Sequence, residues 1–399
     1  MSERSLKLVA RITGGSTPSP RASNWEGDTP FVTPPDLNGL DGAEITATAR
    51  TVTASALSET RMVPRGVLVS CRAPIGHIGT ASRSVTFNQG CKSIEPEVDD
   101  LKFLAYVLVA RRSEMQALGR GTTFLEISGQ QLGDLKVPWP PLPTQRRIAD
   151  YLDRETAQID AMTGALDGLV ARLEERRSAV ITRAVWPNGP TCDSVPLRAL
   201  TGRDGILTDG DWVESKDQDP HGCIRLLQLA DIGEGKFRDK SDRWINPETF
   251  TKLGCTKLEH GDILIARIPD PIARATIFPK NITYDCVTVV DVCILRTSAT
   301  ANSRYAMWAI NSPTFRADAL LDLKGSTRQR ISKSNLGRLQ IPLPPLDEQR
   351  RIADHLDAET AKIDAMIAKA GELRALLDER RSALITATVT GQHPVPEEP

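Results

Sequence analysis

Apolar and polar positions follow the same order twice along this chain. From Pro141 the sequence reads PLPTQRRIADYLDRETAQIDAM and runs on to LEERRSAVIT, ending at Thr182. From Pro345 it reads PLDEQRRIADHLDAETAKIDAM and runs on to LDERRSALIT, ending at Thr386. The copies register without a gap at an offset of 204 residues, Pro141 onto Pro345, and well over half the positions between Pro141 and Val185 are identical. Each copy repeats at spacings of four and three. In the first the seam is Ile148, Leu152, Glu155, Ile159, Met162, Leu166, Leu169, Leu173, Arg176 and Val180. In the second it is Ile352, Leu356, Glu359, Ile363, Met366, Ala370, Leu373, Leu377, Arg380 and Leu384. A period of about 3.5 residues held over four heptads marks a coiled coil. Prolines before each copy (Pro140, Pro141 and Pro143; Pro342, Pro344 and Pro345) force an extended entry. Thr144 and Asp347 are the expected N-caps.

The rest of the chain alternates with these helices, so two similar halves are expected, each a globular segment followed by one long helix. The predicted division is 1–142, a helix over 143–187, 188–346, a helix over 347–390, and a disordered Pro- and Glu-rich tail at 391–399. Both globular segments read as α+β. RGVLVSCRAPIG reads as a strand ending in a loop at Arg72, and SVTFNQGCKSI as a further strand around a polar turn. A helix is expected over Leu101–Leu118. The strand GDILIARIPDP parallels the first, with Arg267 where Arg72 sits, and a helix over about Asn302–Leu321 matches the earlier one. Short basic loops, Gly119 to Thr123 and Lys324 to Thr327, follow the two helices.

Composition sets bounds on this picture. The chain has 399 residues, 40% hydrophobic and 25% charged, with a net charge of −1. That is ordinary for a soluble globular protein, and any basic surface must be local. No apolar run approaches a membrane span, and the start MSERSLKLVARITGG lacks a signal-peptide core. Seven cysteines, without a CxxC pair or a Cys/His cluster, argue against a disulfide framework and a structural metal site and fit the cytoplasm.

Catalytic signatures are missing. There is no phosphate-binding GxxxxGK[ST] loop, GxSxG elbow, HExxH or Gly-rich cofactor loop. Thr33-Pro34-Pro35-Asp36 lacks both ends of a methyltransferase motif. Glu214-Ser215-Lys216, with Asp204 upstream, only faintly matches a nuclease metal site. His77, His221 and His260 are scattered. No catalytic residue and no metal ligand is assigned.

The order of segments resembles the specificity subunit of type I restriction–modification enzymes. The two PPL…QRRIA…LD…T..ID helices carry the resemblance, with the strands before them (Val137 to Leu142, Ile341 to Leu346), the loops GTTFLEIS and GSTRQRIS, and GDILIAR at Gly261. It covers essentially the whole chain. The resemblance implies two target recognition domains, each reading one half of a split DNA sequence. They are separated by two long helices that form an antiparallel coiled coil with a pseudo-twofold internal repeat. It also implies partners: double-stranded DNA, two methyltransferase subunits that bring S-adenosylmethionine, and a motor subunit that brings ATP with Mg2+, with no cofactor in this chain itself. The complex would be an adenine-specific methyltransferase and restriction endonuclease, for phage defence. Two other classes stay open on the residues alone: a stand-alone nuclease or methyltransferase with an unrecognised site, and a protein-binding scaffold.

Candidate DNA contacts are Arg72, Asn88, Gln89, Lys92, Arg120 and Thr122 in the first segment. In the second they are Arg267, Lys324, Thr327, Arg328 and Arg330. Cations in loops hold phosphates, and Asn or Gln pairs with adenine edges. A helix over about 144–185 spans on the order of 60 Å, enough to separate readers one turn of DNA, about 34 Å, apart. The seam predicts antiparallel pairing of the helices. Leu166 would then face Ala370, Met162 face Leu373, Leu169 face Met366, Ile159 face Leu377 and Leu173 face Ile363. Glu155 falls opposite Arg380 and Arg176 opposite Glu359, whereas parallel pairing sets like charges together.

Overall fold

The computed structural model describes residues 2–97, 99–119, 125–189, 193–269, 271–323 and 329–396. They fall into two compact units, Met1–Leu166 with Gly371–Pro399, and Asp167–Ala370. Each unit holds one globular head and one half of each long helix. The expected division was sequential, a head and then a whole helix; compactness follows the helix halves instead.

The first head is built from β1 (Glu3–Ser5), β2 (Ala10–Gly14), β3 (Trp25–Val32), β4 (Arg50–Val52), β5 (Met62–Val63), β6 (Gly66–Ser70), β7 (Ile78–Ala81), β8 (Val85–Phe87) and β9 (Cys91–Pro96). Helices α1 (Leu101–Ala110), α2 (Arg112–Leu118) and α3 (Gly129–Asp134) follow, then β10 (Lys136–Pro138) and the long α4 (Leu142–Val185). The second head runs through β11 (Ser194–Pro196), β12 (Ile206–Asp209), β13 (Ile224–Leu227), β14 (Trp244–Ile245), α5 (Pro247–Leu253), β15 (Ile263–Ala266), β16 (Ala275–Ile277), β17 (Cys286–Thr288) and β18 (Val292–Arg296). It ends with α6 (Ser303–Ile310), α7 (Pro313–Leu321), α8 (Lys333–Leu336) and β19 (Gln340–Pro342), before the long α9 (Leu346–Thr390).

The heads share one strand order, except that β5 at the edge of the first head has no counterpart in the second. In the first, an antiparallel sheet β2-β9-β6-β7 packs on a mixed sheet β4-β3-β8-β5, in which β3 and β8 are parallel. In the second, β12-β18-β15-β16 packs on β14-β13-β17, with β13 and β17 parallel. The central strands explain why the layers form. GVLVS and ILIA are buried at every position and apolar throughout except at Ser70, whose hydroxyl is bonded to Pro74 O and His77 N. Successive side chains leave opposite faces of a strand. So Val67 and Val69 pack with Phe103, Leu104 and Val107 of α1, while Leu68 packs with Val32, Val63 and Phe87 of the other sheet. Ile263 and Ile265 likewise meet Tyr305 and Trp308 of α6, and Leu264 meets Leu227 and Ile294. Each fully buried side chain contributes about 1.5–3 kcal/mol.

Three local expectations change. The helix expected over Leu101–Leu118 is two helices that break at Arg111 (ψ 10°), and Asn302–Leu321 breaks before Pro313, which starts α7. SVTFNQGCKSI is two strands, β8 and β9, around the turn at Asn88–Gly90. The long helices start at Leu142 and Leu346, before the expected caps; in the first, Pro143 is tolerated because an N–H in the first turn has no helical partner. Gln145 and Gln349 matter more than the caps. Both are buried, and each carboxamide oxygen accepts the backbone N–H that opens a head helix, from Asp100 at 3.1 Å and Asn302 at 2.8 Å. Asp100 and Asn302 then cap α1 and α6 through Phe103 N and Tyr305 N.

Within each unit the two helix halves run antiparallel. In the first, Ile148 and Leu152 share a core with Ile385 and Val389, and Asp160 pairs with Arg381. In the second, Ile181 and Val185 share a core with Ala353 and Leu356, and Arg177 pairs with Asp364. The seam itself is shifted from the expected one. Leu152, Ile159, Leu173, Leu356, Ile363 and Ala370 are buried as expected, with Leu166 and Leu377 half-buried. The alternate positions are instead Thr156, Thr163, Val170, Arg177, Thr360, Ile367 and Arg381. Met162, Leu169, Met366 and Leu373 are exposed, as are Arg176 and Arg380, with Glu155 and Glu359 half-exposed. Glu359 pairs with Lys362 on its own helix at 2.7 Å, which first holds its carboxyl below the ordinary value, and Arg176 of the facing helix adds a weaker attraction without a direct pair. Threonine displaces methionine and leucine because it can be buried in a helix without an orphan hydroxyl. Thr156 and Thr360 each donate to the carbonyl four residues back, at 2.6 Å. The tail is ordered over its described part: His393 meets the Tyr151 hydroxyl at 2.9 Å and Val395 packs on the first head's core.

Candidate nucleic-acid interface

In each head one edge gathers the loop after the first long strand, the turn between the last two strands, and the segment before α3 or α8. Gly15 and Gly210 allow that convergence. A Cβ on either would stand about 2 Å from a backbone oxygen, 2.1 Å from Asn88 O and 2.3 Å from Val289 O.

The first head brings most of its described candidates to this edge. Arg72 lies two residues past β6, bridges to Glu126 and pairs with its carboxylate at 3.0 Å, both exposed. An exposed pair of this kind is worth under about 1 kcal/mol, so Arg72 is easily diverted to a phosphate. Lys92 lies in the register between Gly14 and Val69. Gln89 is exposed at the turn tip and accepts from the Thr17 hydroxyl at 2.6 Å. Asn88 also has a structural role. Its carboxamide oxygen accepts Gly90 N at 3.0 Å and builds the turn.

Arg267 is the larger correction. It was expected as a loop cation beside DNA, yet only 3% of it is exposed. It pairs with Asp209 at 2.9 Å and donates to Val290 O at 2.7 Å, tying β12 and β15 to the turn before β18. Strand pairing drew it inward, because Ile331 N binds its carbonyl and its own N–H binds Asp291 O. Arg330 remains at the surface, 3.8 Å from Asp291. Arg120, Thr122, Lys324, Thr327 and Arg328 lie outside the described residues.

Two features were not anticipated. The loop KFRDKSDRW carries Lys236, Arg238, Lys240 and Arg243, all exposed and without ion pairs among the described residues. Its shape is set from below by Asp231, which is fully buried. That carboxylate accepts Gln228 N, Lys240 N and Ser241 N at 2.7–2.8 Å, together with the Ser241 hydroxyl. Arg225 takes up Asp239 at 2.5 Å, and Asp242 holds the Trp244 indole N–H at 2.7 Å. The acids are thus spent and the four cations point out. Four cations in eight residues were the available signal. The second feature is aromatic. Arg50 stacks 3.3 Å over Trp25 in the first head, and Trp212 stands 66% exposed on the loop after β12. Arg–aromatic stacks and exposed indoles suit base and sugar faces.

Among the described residues the clustered groups and buried thiols offer no comparable setting for reactive chemistry. Among the described residues no group of three or more His, Cys, Asp and Glu could hold a metal ion. Burial pushes the thiols up, to about 11 at Cys71 and about 12 at Cys255, Cys286 and Cys293, which leaves them protonated and unreactive. No described helix is long and apolar enough to cross a membrane.

The family model for the type I restriction modification DNA specificity domain matches residues 1–169 and 232–373. The specificity subunit of type I restriction enzyme MjaIX from Methanocaldococcus jannaschii is 31% identical over 156 residues, 37% of this chain and 36% of that protein. The EcoBI specificity subunit from Escherichia coli is 23% identical over 341 residues, 78% of this chain and 70% of that one. Among solved structures, a chain from work on the complex assembly and conformational transition of the type I R-M system superposes with a TM-score of 0.76 at 17% identity, covering 97% of both chains. The HsdS subunit from Thermoanaerobacter tengcongensis gives 0.53 at 18% identity, covering 98% of this chain and 97% of that one. These structural likenesses concern the fold. With the specificity domain matched in both halves and over most of its length, the chain belongs to the type I restriction–modification DNA specificity family.

Proposed function

We propose that this chain is the DNA-reading subunit of a type I restriction–modification complex and carries out no chemistry itself. Each head reads one half of a bipartite duplex target. The long helices set the separation of the halves and dock two methyltransferase subunits, which bring S-adenosylmethionine and methylate adenine; a motor subunit supplies ATP hydrolysis with Mg2+. The complex works in the cytoplasm. One observation carries the reading: the same strand order is built twice on repeated helices, while the exposed chemistry of the two heads differs. The second head presents the cation loop over Asp231, and the first the Arg50–Trp25 stack and the Gln89 turn. Two unlike readers on one repeated scaffold suit two unlike half-sites. Exposed Met162 and Leu373, and Leu169 and Met366, recur at equivalent positions of the two helices, an apolar surface suited to a helical partner.

The test is to map methylated bases genome-wide with and without the gene, and to measure DNA retention by the reconstituted complex at rising salt. Loss of a two-part methylated motif, with affinity falling steeply with salt, is the expected outcome. Methyl transfer or cleavage by the purified chain alone would overturn the reading.

A further inference from the structure

Arg177 and Arg381 are 204 residues apart, the offset of the repeat, and both are mostly buried. Each ties three elements within its own unit. Arg381, on α9, meets Asp160 of α4 at 3.1 Å and Asp41 of the first head at 3.9 Å. Arg177, on α4, meets Asp364 of α9 at 3.0 Å; it also donates to Glu234 O of the second head at 2.9 Å and lies 3.9 Å from its carboxylate. The head acids are held from behind in the same way, Asp41 by Arg112 and Glu234 by Arg316 at 2.7 Å.

The tips that carry these acids are built alike from unlike sequences, LDGAE and GEGKF. In each an acid precedes a glycine with positive φ, Gly42 at 93° and Gly235 at 78°. Gly42 N binds Ile78 O at the start of β7, and Gly235 N binds Ala275 O at the start of β16. Both tips press on the head helix: a Cβ on Gly42 would stand 3.3 Å from Ala105, and one on Gly235 2.5 Å from the Trp308 ring.

The attachments are divided between the two long helices. The first head sits on α4 through Gln145 and through Asp153, which Tyr106 and Lys102 both contact, and on α9 through Arg381. The second sits on α9 through Gln349 and through Asp357, which Trp308 and Arg304 contact, and on α4 through Arg177. A head seated on one helix alone can rock about it; a second anchor on the other helix removes that freedom. We propose that Arg177 and Arg381, with Glu234 and Asp41, are positioning residues that fix the angle of each head on the helix pair and so restrict the complex to one spacing between half-sites. The inference rests on the recognition reading above. One base pair of extra spacing rotates a half-site by about 35° around the duplex, since a turn is 10–10.5 base pairs. A locked head rejects that displacement and a rocking head follows it.

The experiment uses the whole reconstituted complex and duplexes carrying both half-sites at the native spacing and at one and two base pairs to either side. The variants are Arg381→Gln, Arg177→Gln, Asp41→Asn and Glu234→Gln. Asp41 and Glu234 sit at the surface, so their variants serve if the arginine variants fail to assemble. Arg296→Gln, which breaks a pair with fully buried Asp262 inside the second head, controls for lost stability. Wild type and control are expected to methylate the native spacing alone. The clamp variants should keep both half-site sequences but lose at least tenfold in discrimination against neighbouring spacings. Unchanged discrimination in all clamp variants, or an equal loss in the control, would overturn the proposal. If the wild type recognises no two-part target, the recognition reading itself fails, a different result.

Discussion

Arg267 and Arg243 are both arginines of the second head, one enclosed between Asp209 and the Val290 carbonyl and one exposed on the loop over Asp231. Their substitution should separate folding from binding. Arg267→Ala leaves a carbonyl and a carboxylate short of a donor and is expected to cost about 1–3 kcal/mol in denaturant unfolding, with the salt dependence of DNA binding by the assembled complex unchanged. Arg243→Ala should leave the unfolding midpoint in place and lower the slope of log affinity against log salt by about one unit. The opposite assignment of effects would show that burial does not sort these cations. His77 makes a pH prediction. Burial first, and then the charge of Arg112, hold it below the ordinary histidine value of 6.5, and its buried Nδ1 has no hydrogen-bond partner. The unfolded chain therefore takes up a proton before the folded one as pH falls. Its stabilising contribution is complete above pH 6.5 and is lost as pH drops from there through the folded value. His77→Gln should flatten the fall in thermal midpoint between pH 7 and 5; an equal slope in both proteins would exclude it as the source.

For single elements, the long helices contain two overlapping stripes that share Leu152, Ile159, Leu166 and Leu173. The stripes differ in what alternates with those residues, and packing against the heads selects the threonine side. Leu152→Ala and Leu356→Ala, at fully buried positions, should each cost about 2–5 kcal/mol. Met162→Ala and Met366→Ala, about half exposed, should change the isolated chain's stability by no more than about 0.5 kcal/mol. Comparable losses at both sets, read from urea midpoints, would restore the seam expected from hydrophobicity alone. The same pair of methionine variants should weaken assembly with methyltransferase subunits if that apolar surface is where they dock.

For the whole molecule, the two heads share strand order and helix seating but not surface residues, so specificity should be modular. Replacing residues 1–140 with those of a relative should change one half of the methylated sequence and leave the other half intact. A change in both halves, or in neither, would contradict two independent readers. The replacement keeps Gln145, Asp153 and Arg381 in place but must bring a head with its own acidic tip. A donor head lacking a counterpart of Asp41 is therefore expected to read its half-site with a looser spacing.

The sequence by itself determined the repeat, the long helices, the central apolar strands and the family, because these are local or periodic. A 3.5-residue pattern, an all-apolar ILIA and a gapless 204-residue offset need no knowledge of what lies across the chain. It also carried the charges of KFRDKSDRW, interleaved with Asp239 and Asp242, which the fold pairs with Arg225 and the Trp244 indole. Tertiary structure decided which stripe of each helix is buried, that Arg267 is enclosed while Arg330 is not, and that Asn88 builds a turn. It also decided that Asp41 and Glu234, in unlike loops, meet equivalent arginines. These outcomes depend on partners tens to hundreds of residues away. A charged or amide side chain has the same local appearance whether it ends in water, in a turn or against an opposite charge, and only the folded neighbours determine which.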